Sequence, residues 1–510
     1  MTRPGTLAWF AHHEMRLAWR DFVGMMTAGR PTRRRLVYAA LAGFAAFLHL
    51  IAYAILVAGG RLPLILDRTT LVVATGLCAA AFALMLSQAL ESVTRAFYAR
   101  GDLDLILSSP TAAGRLFAVR IGSVALATGA MTALLAGPFV NILAVFDRPG
   151  WLAAYPVMAA GGAVATGLAV TVTVGLIRLI GPRRTRFAAQ VLAAVTGAAF
   201  VIGVQVGSIL SFGHLDRTSF LASPAVTRAM PAETSLLYWP ARAAAGETGP
   251  LAATIGLGAL VLVGAILAFA GRFGALALTT AGSADPAAPA ARGAAFRGAS
   301  SPAAALRRKE WRLVARDPWL LSQTLMQLLY LMPPAFLLWR NFGDRTGALV
   351  VLVPVLVMAA GQLAGGLAWL TISGEDAPDL VATAPVPAAT ATRAKAGAVI
   401  AAISVVLLPF SAAMAVSSPF EATMMAAFAA AAALSAIAIQ LLFRTRARRS
   451  QFRRRQTASR FSTFAEAFSS IAWAGGAALA AAGTWLAAIP AGLALAVVAA
   501  AWLASPARDG

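Results

Sequence analysis

The segment GDLDLILSSP at 101–110 concentrates acidic and turn-forming residues between two long apolar stretches. Its two aspartates stand beside aliphatic residues that share one face of a short helix, and Ser109 can cap a new helix that begins at Pro110. An apolar face beside carboxylates suits a basic-rimmed groove on another protein, so we interpret the segment as a docking helix; the alternative is a plain re-entry turn. The predicted docking residues are Asp102, Leu103, Asp104, Leu107 and Pro110.

A second segment, APDLVATAP at 377–385, repeats this pattern less closely. DLILSSP at 104–110 aligns with DLVATAP at 379–385 at an offset of 275 residues. Ten residues beyond each proline stands a base, Arg120 in the first copy and Lys395 in the second. The corresponding docking residues are Asp376, Asp379, Leu380 and Pro385.

Another matched pair precedes the apolar part of each half. EMRLAWRD at 14–21 and EWRLVARD at 310–317 are identical at five of eight positions, at an offset of 296. Apolar residues recur at helical spacing, which predicts amphipathic interfacial helices with tryptophan anchors. Simple anchoring is one interpretation, and contact with a cytoplasmic partner is the other. The residues concerned are Glu14, Arg16, Trp19, Arg20 and Asp21, and Glu310, Trp311, Arg312, Arg316 and Asp317.

Predicted membrane spans flank these segments and hold them in position. Of the 510 residues 59% are hydrophobic and only 12% are charged, with a mean hydropathy of +0.76. Runs of about 20 apolar residues are long enough to cross a bilayer as helices. The sequence therefore predicts an all-α polytopic membrane protein with twelve spans, at 36–58, 69–90, 121–146, 151–177, 188–212, 251–271, 319–339, 347–372, 396–416, 422–443, 463–486 and 487–504.

The distribution of basic residues predicts the orientation. With both termini cytoplasmic, the cytoplasmic segments hold 34 of the 42 Lys and Arg residues and the external segments hold 8. Such an excess is typical of cytoplasmic loops. The net charge of +22 is thus assigned to membrane topology rather than to nucleic-acid binding. We expect an integral protein of the bacterial inner membrane.

The matched segments divide the chain into two six-helix halves. The first half is predicted at 1–278 and the second at 305–510, each with its own interfacial helix. A small, proline-broken segment at 279–304 reads as a flexible cytoplasmic linker. Because each half has an even number of spans, the halves run in parallel and are predicted to be related by an axis along the membrane normal.

Motifs for chemistry within the chain are missing from the sequence. The only lysines are Lys309 and Lys395, and neither lies in the GxxxxGK[ST] motif that binds nucleotide phosphates. The single cysteine and the four histidines form no catalytic or metal-binding motif. We therefore expect a non-enzyme without a metal or cofactor of its own. We also expect the spans to lack buried carboxylates, which argues against an ion-coupled carrier.

The docking pattern resembles the permeases of the ABC-2 type exporter family. Residues 102–110 and Arg120 match the family's acidic, leucine-rich loop, Ser-Pro and following base, while Ala377–Pro378 interrupt the second copy. The chain is similar to a fused pair of six-helix permeases. The resemblance implies that the docking helices bind a separate ABC ATPase subunit in two copies, which carries ATP and Mg²⁺, and that the interfacial helices lie beside it in contact with membrane lipids.

Two other functions stay open at this point. A six-plus-six secondary transporter driven by an ion gradient has the same architecture, and a membrane assembly protein without transport activity is also compatible. The exported substrate is not indicated by any residue pattern.

Overall fold

The computed structural model of the chain is helical, with no β-strand in the residues that it describes. These residues are 9, 12–13, 16–17, 20, 34–60, 62–98, 113–212, 221–276, 301–316, 348–372, 383, 385–443 and 460–503. Contacts divide the chain into two compact units. Unit 1 comprises Met1–Gly207 and Asp216–Arg292, and unit 2 comprises Ser208–Leu215 and Gly293–Gly510. The predicted linker 279–304 lies largely outside the described residues.

Five long helices and two short ones form most of the described part of unit 1. They are α1 (Arg34–Tyr53), α2 (Arg68–Tyr98), α3 (Ala113–Phe146), α4 (Ala154–Phe212), α5 (Pro224–Ala229), α6 (Trp239–Ala244) and α7 (Thr248–Phe269). A π-helical turn, Ala54–Ala58, extends α1. Three aromatic rings, those of Phe97, Phe117 and Phe273, pack with centroids 5.0–6.1 Å apart and tie α2 and α3 to the residues after α7.

A break inside α4 separates two membrane-length segments. Gly181 adopts φ 77° and ψ 163°, a conformation that favours glycine, and Pro182 follows it. The two segments are Pro149–Pro182 and Arg184–Gln205. The hydroxyl of Tyr98, at the end of α2, donates to the Pro182 carbonyl at 2.6 Å and fixes the break against that helix.

The segment of unit 1 that the sequence predicts to be external folds over the start of α2. Tyr238 is completely buried against Leu71 and Val72, and its hydroxyl donates to the Pro231 carbonyl at 3.0 Å. From the first residue of α2, Arg68 donates to the Met230 carbonyl at 2.6 Å. Tyr238 therefore packs this segment onto α2.

Unit 2 has one main apolar core and a smaller cluster around Ile439 and Ala501. The helices are α8 (Pro302–Arg316), α9 (Ala348–Ile372), α10 (Ala388–Ser417), α11 (Pro419–Leu442), α12 (Arg460–Ala481) and α13 (Ala488–Leu503). The core centres on α9, whose Leu352, Leu356, Leu363 and Trp369 are buried. Helices α10 to α13 each contribute buried residues around it.

Nine helices in the described ranges are long and apolar enough to cross a membrane. The chain is therefore a polytopic helical membrane protein, as its composition predicts. The predicted span 319–339 lies outside the described residues, and the helices at the predicted spans 36–58 and 463–486 are not among these nine. The predicted span 69–90 ends eight residues early (98 − 90), because α2 continues to Tyr98 through polar residues that include an i,i+4 pair of Glu91 and Arg95 at 3.6 Å.

Candidate functional site

A buried ion pair joins two of the segments that the sequence singles out in unit 2. The Glu310 Oε1 atom of α8 lies 3.1 Å from the Nζ atom of Lys395 in α10. Their side chains are 1% and 7% exposed, so both charges are almost fully removed from water. Because a buried charge is costly unless it is paired, this contact fixes α8 against α10.

Lys395 also binds the end of a third helix. Its ammonium group donates to the Thr371 carbonyl in the last turn of α9. Helix C-terminal carbonyls lack partners within their own helix and carry partial negative charge, so a lysine there is favourable. The side chain thus links α8, α9 and α10 at one point.

Both lysines of the chain converge on the same carboxylate. Lys309 Nζ lies 3.4 Å from Glu310 Oε1, the atom that also contacts Lys395. The other oxygen, Oε2, is buried without a hydrogen-bond partner. An oxygen shared by two ammonium groups is held more tightly than a surface ion pair, which is screened by water.

The structure therefore brings together the interfacial helix and the base that follows the docking segment. These were predicted separately, 85 residues apart (395 − 310), and nothing in the sequence indicates that they pair. Pro385 itself is exposed in a bend, and α10 begins three residues later at Ala388, with Pro387 at its N-cap. The base thus lies two turns inside α10.

The other predicted interfacial residues divide between exposed positions and undescribed ones. In unit 1, Arg16 and Arg20 are helical and exposed. In unit 2, Trp311 and Arg312 are exposed and Arg316 ends α8. The remaining residues of this group, Glu14, Trp19, Asp21 and Asp317, lie outside the described residues.

Most predicted docking residues also fall where the chain is not described. These are Asp102, Leu103, Asp104, Leu107, Pro110, Asp376, Asp379 and Leu380. The first copy's base, Arg120, is described: it lies in α3, and its Nη1 atom is buried without a hydrogen-bond partner. The docking helices stay a prediction.

A buried carboxylate in α12 corrects the expectation that the spans lack one. Glu466 lies within the predicted span 463–486 and is only 8% exposed. Its Oε1 atom accepts a hydrogen bond from Nε2 of Gln440 near the end of α11. An ionisable residue inside a membrane helix is by default a candidate for function, because hydrocarbon does not solvate it.

Two glycines of α9 make room for the polar face of α12. A Cβ atom on Gly365 would overlap the Glu466 carboxylate, and one on Gly361 would overlap the Ser470 hydroxyl. The glycines are four residues apart, as are Glu466 and Ser470. Because the two helices are antiparallel, Gly361 lies opposite Ser470 and Gly365 lies opposite Glu466. Small residues at this spacing let helices approach closely in membranes.

Further polar groups extend this face of α12. Trp473 Nε1 donates to the Ser435 hydroxyl of α11 at 2.9 Å. The Ser469 hydroxyl, 2% exposed, has no hydrogen-bond partner. The signal in the sequence was the pair of glycines in GQLAG at 361–365 together with one glutamate in an apolar run, but sequence alone does not show that they face each other.

Unit 1 has a separate polar chain across α1, α3 and α4. His49 Nδ1 lies 2.8 Å from the Ala45 carbonyl, and its Nε2 lies 3.1 Å from Asn141 Nδ2. The Tyr155 hydroxyl donates to Asn141 Oδ1 at 2.7 Å. An imidazole with its proton on Nδ1 donates to the Ala45 carbonyl and accepts from the Asn141 amide through Nε2. These hydrogen bonds hold the three helices together.

Among the described residues no three His, Cys, Asp or Glu side chains lie together as metal ligands. No family model, curated protein or solved structure matches this chain. Function is therefore inferred from the residues of this chain alone.

Proposed function

We propose that the chain is the transmembrane permease subunit of an ATP-driven exporter of the ABC-2 type. In this proposal ATP and Mg²⁺ bind a separate ABC ATPase, present in two copies, and the chain itself is not an enzyme. The protein lies in the bacterial inner membrane.

The buried pair of Glu310 and Lys395 carries this proposal. A permease without ATP-binding residues has to receive movement from outside, through segments that contact the partner and are rigidly joined to the spans. The pair meets the second requirement, because α8 and α10 are bonded at a site with almost no water. Lys395 extends the connection to α9 through the Thr371 carbonyl.

Movement at the second docking segment would reach the core by this connection. Asp379 and Pro385 lie between α9 and α10 in sequence, so a force on that segment acts on both helices. The pair makes α8 follow them. The membrane core of unit 2 is built on α9, so a shift there repacks α11 and α12 as well.

Purification of the tagged full-length chain from its own membranes tests the proposal. We expect an ABC ATPase to co-purify and to hydrolyse ATP, and we expect the amount recovered to fall when Asp104 is changed to Lys. Recovery of the same ATPase with Asp104→Lys and Asp379→Lys together would contradict the docking role. Absence of any ATP-hydrolysing subunit from a stable preparation would contradict the proposal as a whole.

A second candidate is an ion-coupled carrier, and one observation favours it. Glu466 is buried between Gly365 and Gln440, the type of intramembrane carboxylate that such carriers use. Right-side-out and inverted vesicles distinguish the two candidates: ATP alone drives transport in the first, and an imposed ion gradient alone in the second. If the gradient suffices and Glu466→Gln abolishes it, the carrier is correct.

A further inference from the structure

The side chains of His49, Asn141 and Tyr155, which we call the His49 network, join α1, α3 and α4. All three residues are half-buried. Their hydrogen bonds form one line, from the Tyr155 hydroxyl through the Asn141 amide to the His49 ring. Imidazole is the side chain whose charge changes most readily between about pH 5 and pH 8. The network therefore contains a group that can take up a proton.

The Ala45 carbonyl sets the direction of these hydrogen bonds. It lies 2.8 Å from His49 Nδ1, so that nitrogen carries the proton and Nε2 remains an acceptor. Asn141 donates to Nε2 at 3.1 Å through its amide nitrogen, and its amide oxygen accepts from Tyr155 at 2.7 Å. Every hydrogen bond of the neutral network thus runs from α4 through α3 to α1.

A second proton on the ring reverses this direction. Nε2 of His49 then becomes a donor and faces the Asn141 amide nitrogen, which is also a donor. A half-turn of the amide group removes this conflict, because its oxygen then accepts from Nε2 and its nitrogen donates to the Tyr155 oxygen. The Tyr155 proton then needs a new acceptor.

Gly137 of α3 supplies that acceptor. Its carbonyl oxygen lies 3.4 Å from the Tyr155 hydroxyl, next to the present acceptor on Asn141. A Cβ atom on Gly137 would lie 3.0 Å from this hydroxyl, so any other residue would crowd it. The structure therefore contains partners for both directions of the His49 network.

The helices of the network bring no acidic or basic residue to its level. No Asp, Glu, Lys or Arg occurs in the stretches 36–58, 121–146 and 149–177. Besides Tyr155, the ionisable side chains of these stretches are Tyr38, far from the network along α1, and Tyr53, which packs edge to face on Phe146 with ring centroids 5.6 Å apart. Phenols are neutral below about pH 9. A change of charge at this level between about pH 5 and pH 8 therefore belongs to His49.

The charged residues closest to Asn141 in sequence follow the end of α3. Asp147 accepts a hydrogen bond from the Trp151 indole at 2.7 Å, and its carboxylate lies 3.9 Å from Arg148. The Arg148 guanidinium also lies over the Trp151 ring, 5.4 Å from its centroid. These two charges are opposite and adjacent, so they largely cancel at the distance of the network.

The network lies near one end of these helices. Asn141 is five residues (146 − 141) before the end of α3, which is about 7.5 Å along the helix, and Tyr155 is the second residue of α4. The orientation predicted from the basic residues puts this end on the external side. A proton from that side therefore has only a short way to His49.

We propose that the His49 network is a proton-binding site that responds to the pH on the side predicted to be external. One solvent proton bonds to the lone pair of His49 Nε2, and the ring becomes an imidazolium. Asn141 and Tyr155 keep their own protons and only exchange partners. Tyr155 has to approach the Gly137 carbonyl to donate there, which draws the start of α4 towards α3. The site lies in unit 1 and needs no ATPase, so it is independent of the proposed function.

Nitrogen NMR of the full-length protein in nanodiscs tests this site. Histidine and asparagine are labelled with the heavy nitrogen isotope, and the His49 signals are assigned by their loss in His49→Gln. At about pH 8 we expect a proton on Nδ1 only, and a coupling between Nε2 and the Asn141 amide nitrogen across their hydrogen bond. At about pH 5 we expect protons on both ring nitrogens and no such coupling, because the amide oxygen then faces the ring.

Two changes at Asn141 should move the proton affinity of His49 in opposite directions. Asn141→Asp places a carboxylate beside the imidazolium and should raise the affinity by about tenfold or more, because a nearby opposite charge favours the charged form. Asn141→Leu removes the acceptor of the charged ring and should lower the affinity by about tenfold. His12 and His13, which are both exposed, are the internal reference and should titrate alike in all variants.

Gly137→Ala tests the last partner of the reversed network. The new methyl group crowds the Tyr155 hydroxyl, so the proton affinity of His49 should fall by about fivefold, the equivalent of one neutral hydrogen bond. The matched control is Gly122→Ala in the same helix. Nothing lies within 4 Å of the Cβ position of Gly122, so this change should leave the proton affinity as it is.

Three results would overturn the proposal. A His49 ring that keeps a single proton at about pH 5 would mean that the network binds no proton in this range. A doubly protonated ring in Asn141→Leu at the same pH as in the wild type would mean that the amide does not take part. Equal losses of proton affinity in Gly137→Ala and Gly122→Ala would mean that the glycine acts through helix packing and not through Tyr155.

Discussion

Both units contain the same close crossing of two long helices, but they build it with exchanged residues. In unit 2, Gly361 of α9 faces Ser470 of α12. In unit 1, Ser87 of α2 faces Gly197 of α4, and a Cβ on that glycine would lie 2.8 Å from the serine hydroxyl. The helices correspond at offsets of 274 (361 − 87) and 273 (470 − 197). The glycine of the close contact lies on the first of the two helices in unit 2 and on the second in unit 1.

The next turn of the same crossing shows where the units diverge. Gly365 corresponds to Glu91 at the offset of 274 (365 − 91). In unit 2 the carboxylate comes from the opposite helix as Glu466 and is buried, whereas Glu91 is 51% exposed and pairs with Arg95. The close helix contact is thus common to both units, but among the described residues a buried acid lies at this crossing in unit 2 only.

The matched bases behave differently as well. Lys395 is fully engaged by Glu310 and Thr371, whereas Nη1 of Arg120 is buried without a hydrogen-bond partner. A repeat that keeps its packing but differs in polar contacts need not respond symmetrically to a partner. The variants below test that difference.

The largest effect is expected from breaking the ion pair of unit 2. Lys395→Met leaves Glu310 buried with only the half-exposed Lys309 beside it, which should destabilise unit 2 by about 3–5 kcal/mol. The equivalent change in unit 1, Arg120→Met, should cost less than half as much, because Arg120 makes no comparable ion pair. Chemical denaturation in mixed micelles measures both.

The double variant Glu310→Gln with Lys395→Met is the matched control. It removes both charges, so it should recover most of the lost stability. If the double variant is as unstable as the single one, the lysine acts through packing of its aliphatic chain instead. Equal losses for Lys395→Met and Arg120→Met would remove the proposed difference between units.

The docking segments allow the same comparison at the partner surface. On the proposed docking role, Asp104→Lys would place a like charge against a basic groove of the proposed ATPase, which can cost about 2–5 kcal/mol of binding, or roughly 30-fold or more in affinity. Asp379→Lys should have a smaller effect, because the second segment is interrupted at Ala377–Pro378. Titration of the purified ATPase onto each variant measures the two affinities.

Stability provides the control for this prediction. On the docking interpretation, reversing the charge of Asp104 should change the unfolding free energy of the chain by no more than about 0.5 kcal/mol, as is usual for a surface substitution. Normal ATPase affinity with a collapsed melting temperature would show that 102–110 is a structural turn, and the docking interpretation would be wrong.

Nine of the twelve predicted spans correspond to helices of membrane length in the described residues, because hydropathy reports burial in lipid along a whole run of about 20 residues. The sequence placed α11 at 422–443, close to the observed Pro419–Leu442. It could not predict the contacts of Glu466 or Glu310, because a partner across the fold depends on helix rotation and register. The expectation of no buried carboxylate failed for that reason: Glu466 stands near a span end, where sequence gives no sign of its burial.

Exchanging the glycine and serine of unit 2 tests whether the two crossings are equivalent. Gly361→Ser alone overfills the contact, since a Cβ there would lie 3.0 Å from the Ser470 Cβ, and should cost about 1–3 kcal/mol. Adding Ser470→Gly recreates the arrangement of unit 1 and should restore most of the loss. Thermal unfolding in detergent measures both variants.

A glycine with open surroundings provides the reference. Gly397 in α10 has nothing within 4 Å of its Cβ position, so Gly397→Ala should be neutral or slightly stabilising through helix propensity. If the exchanged pair is no more stable than Gly361→Ser alone, the crossing in unit 2 has a different geometry, and the correspondence with Ser87 and Gly197 is fortuitous.

The smallest effect concerns the caps at which each unit begins a helix. Asp67 of unit 1 accepts a hydrogen bond from the Thr70 amide at 2.8 Å, whereas Ser418 of unit 2 caps α11 with a hydroxyl. Hydrogen bonds from the Thr70 side chain and amide lower the pKa of the Asp67 carboxyl. Removing either cap by substitution with Ala should cost about 1 kcal/mol at neutral pH.

Only the charged cap should lose its contribution in acid. Since the folded pKa of Asp67 lies below the unfolded value of about 3.9, its stabilisation is complete above that value and disappears as the pH falls through the folded pKa. The stability difference between wild type and Asp67→Ala should therefore shrink between about pH 5 and pH 3, whereas that for Ser418→Ala should change far less. Melting temperatures across this range measure both differences. A constant difference for Asp67→Ala would mean that this side chain acts through packing, and the two caps would then be equivalent despite their different chemistry.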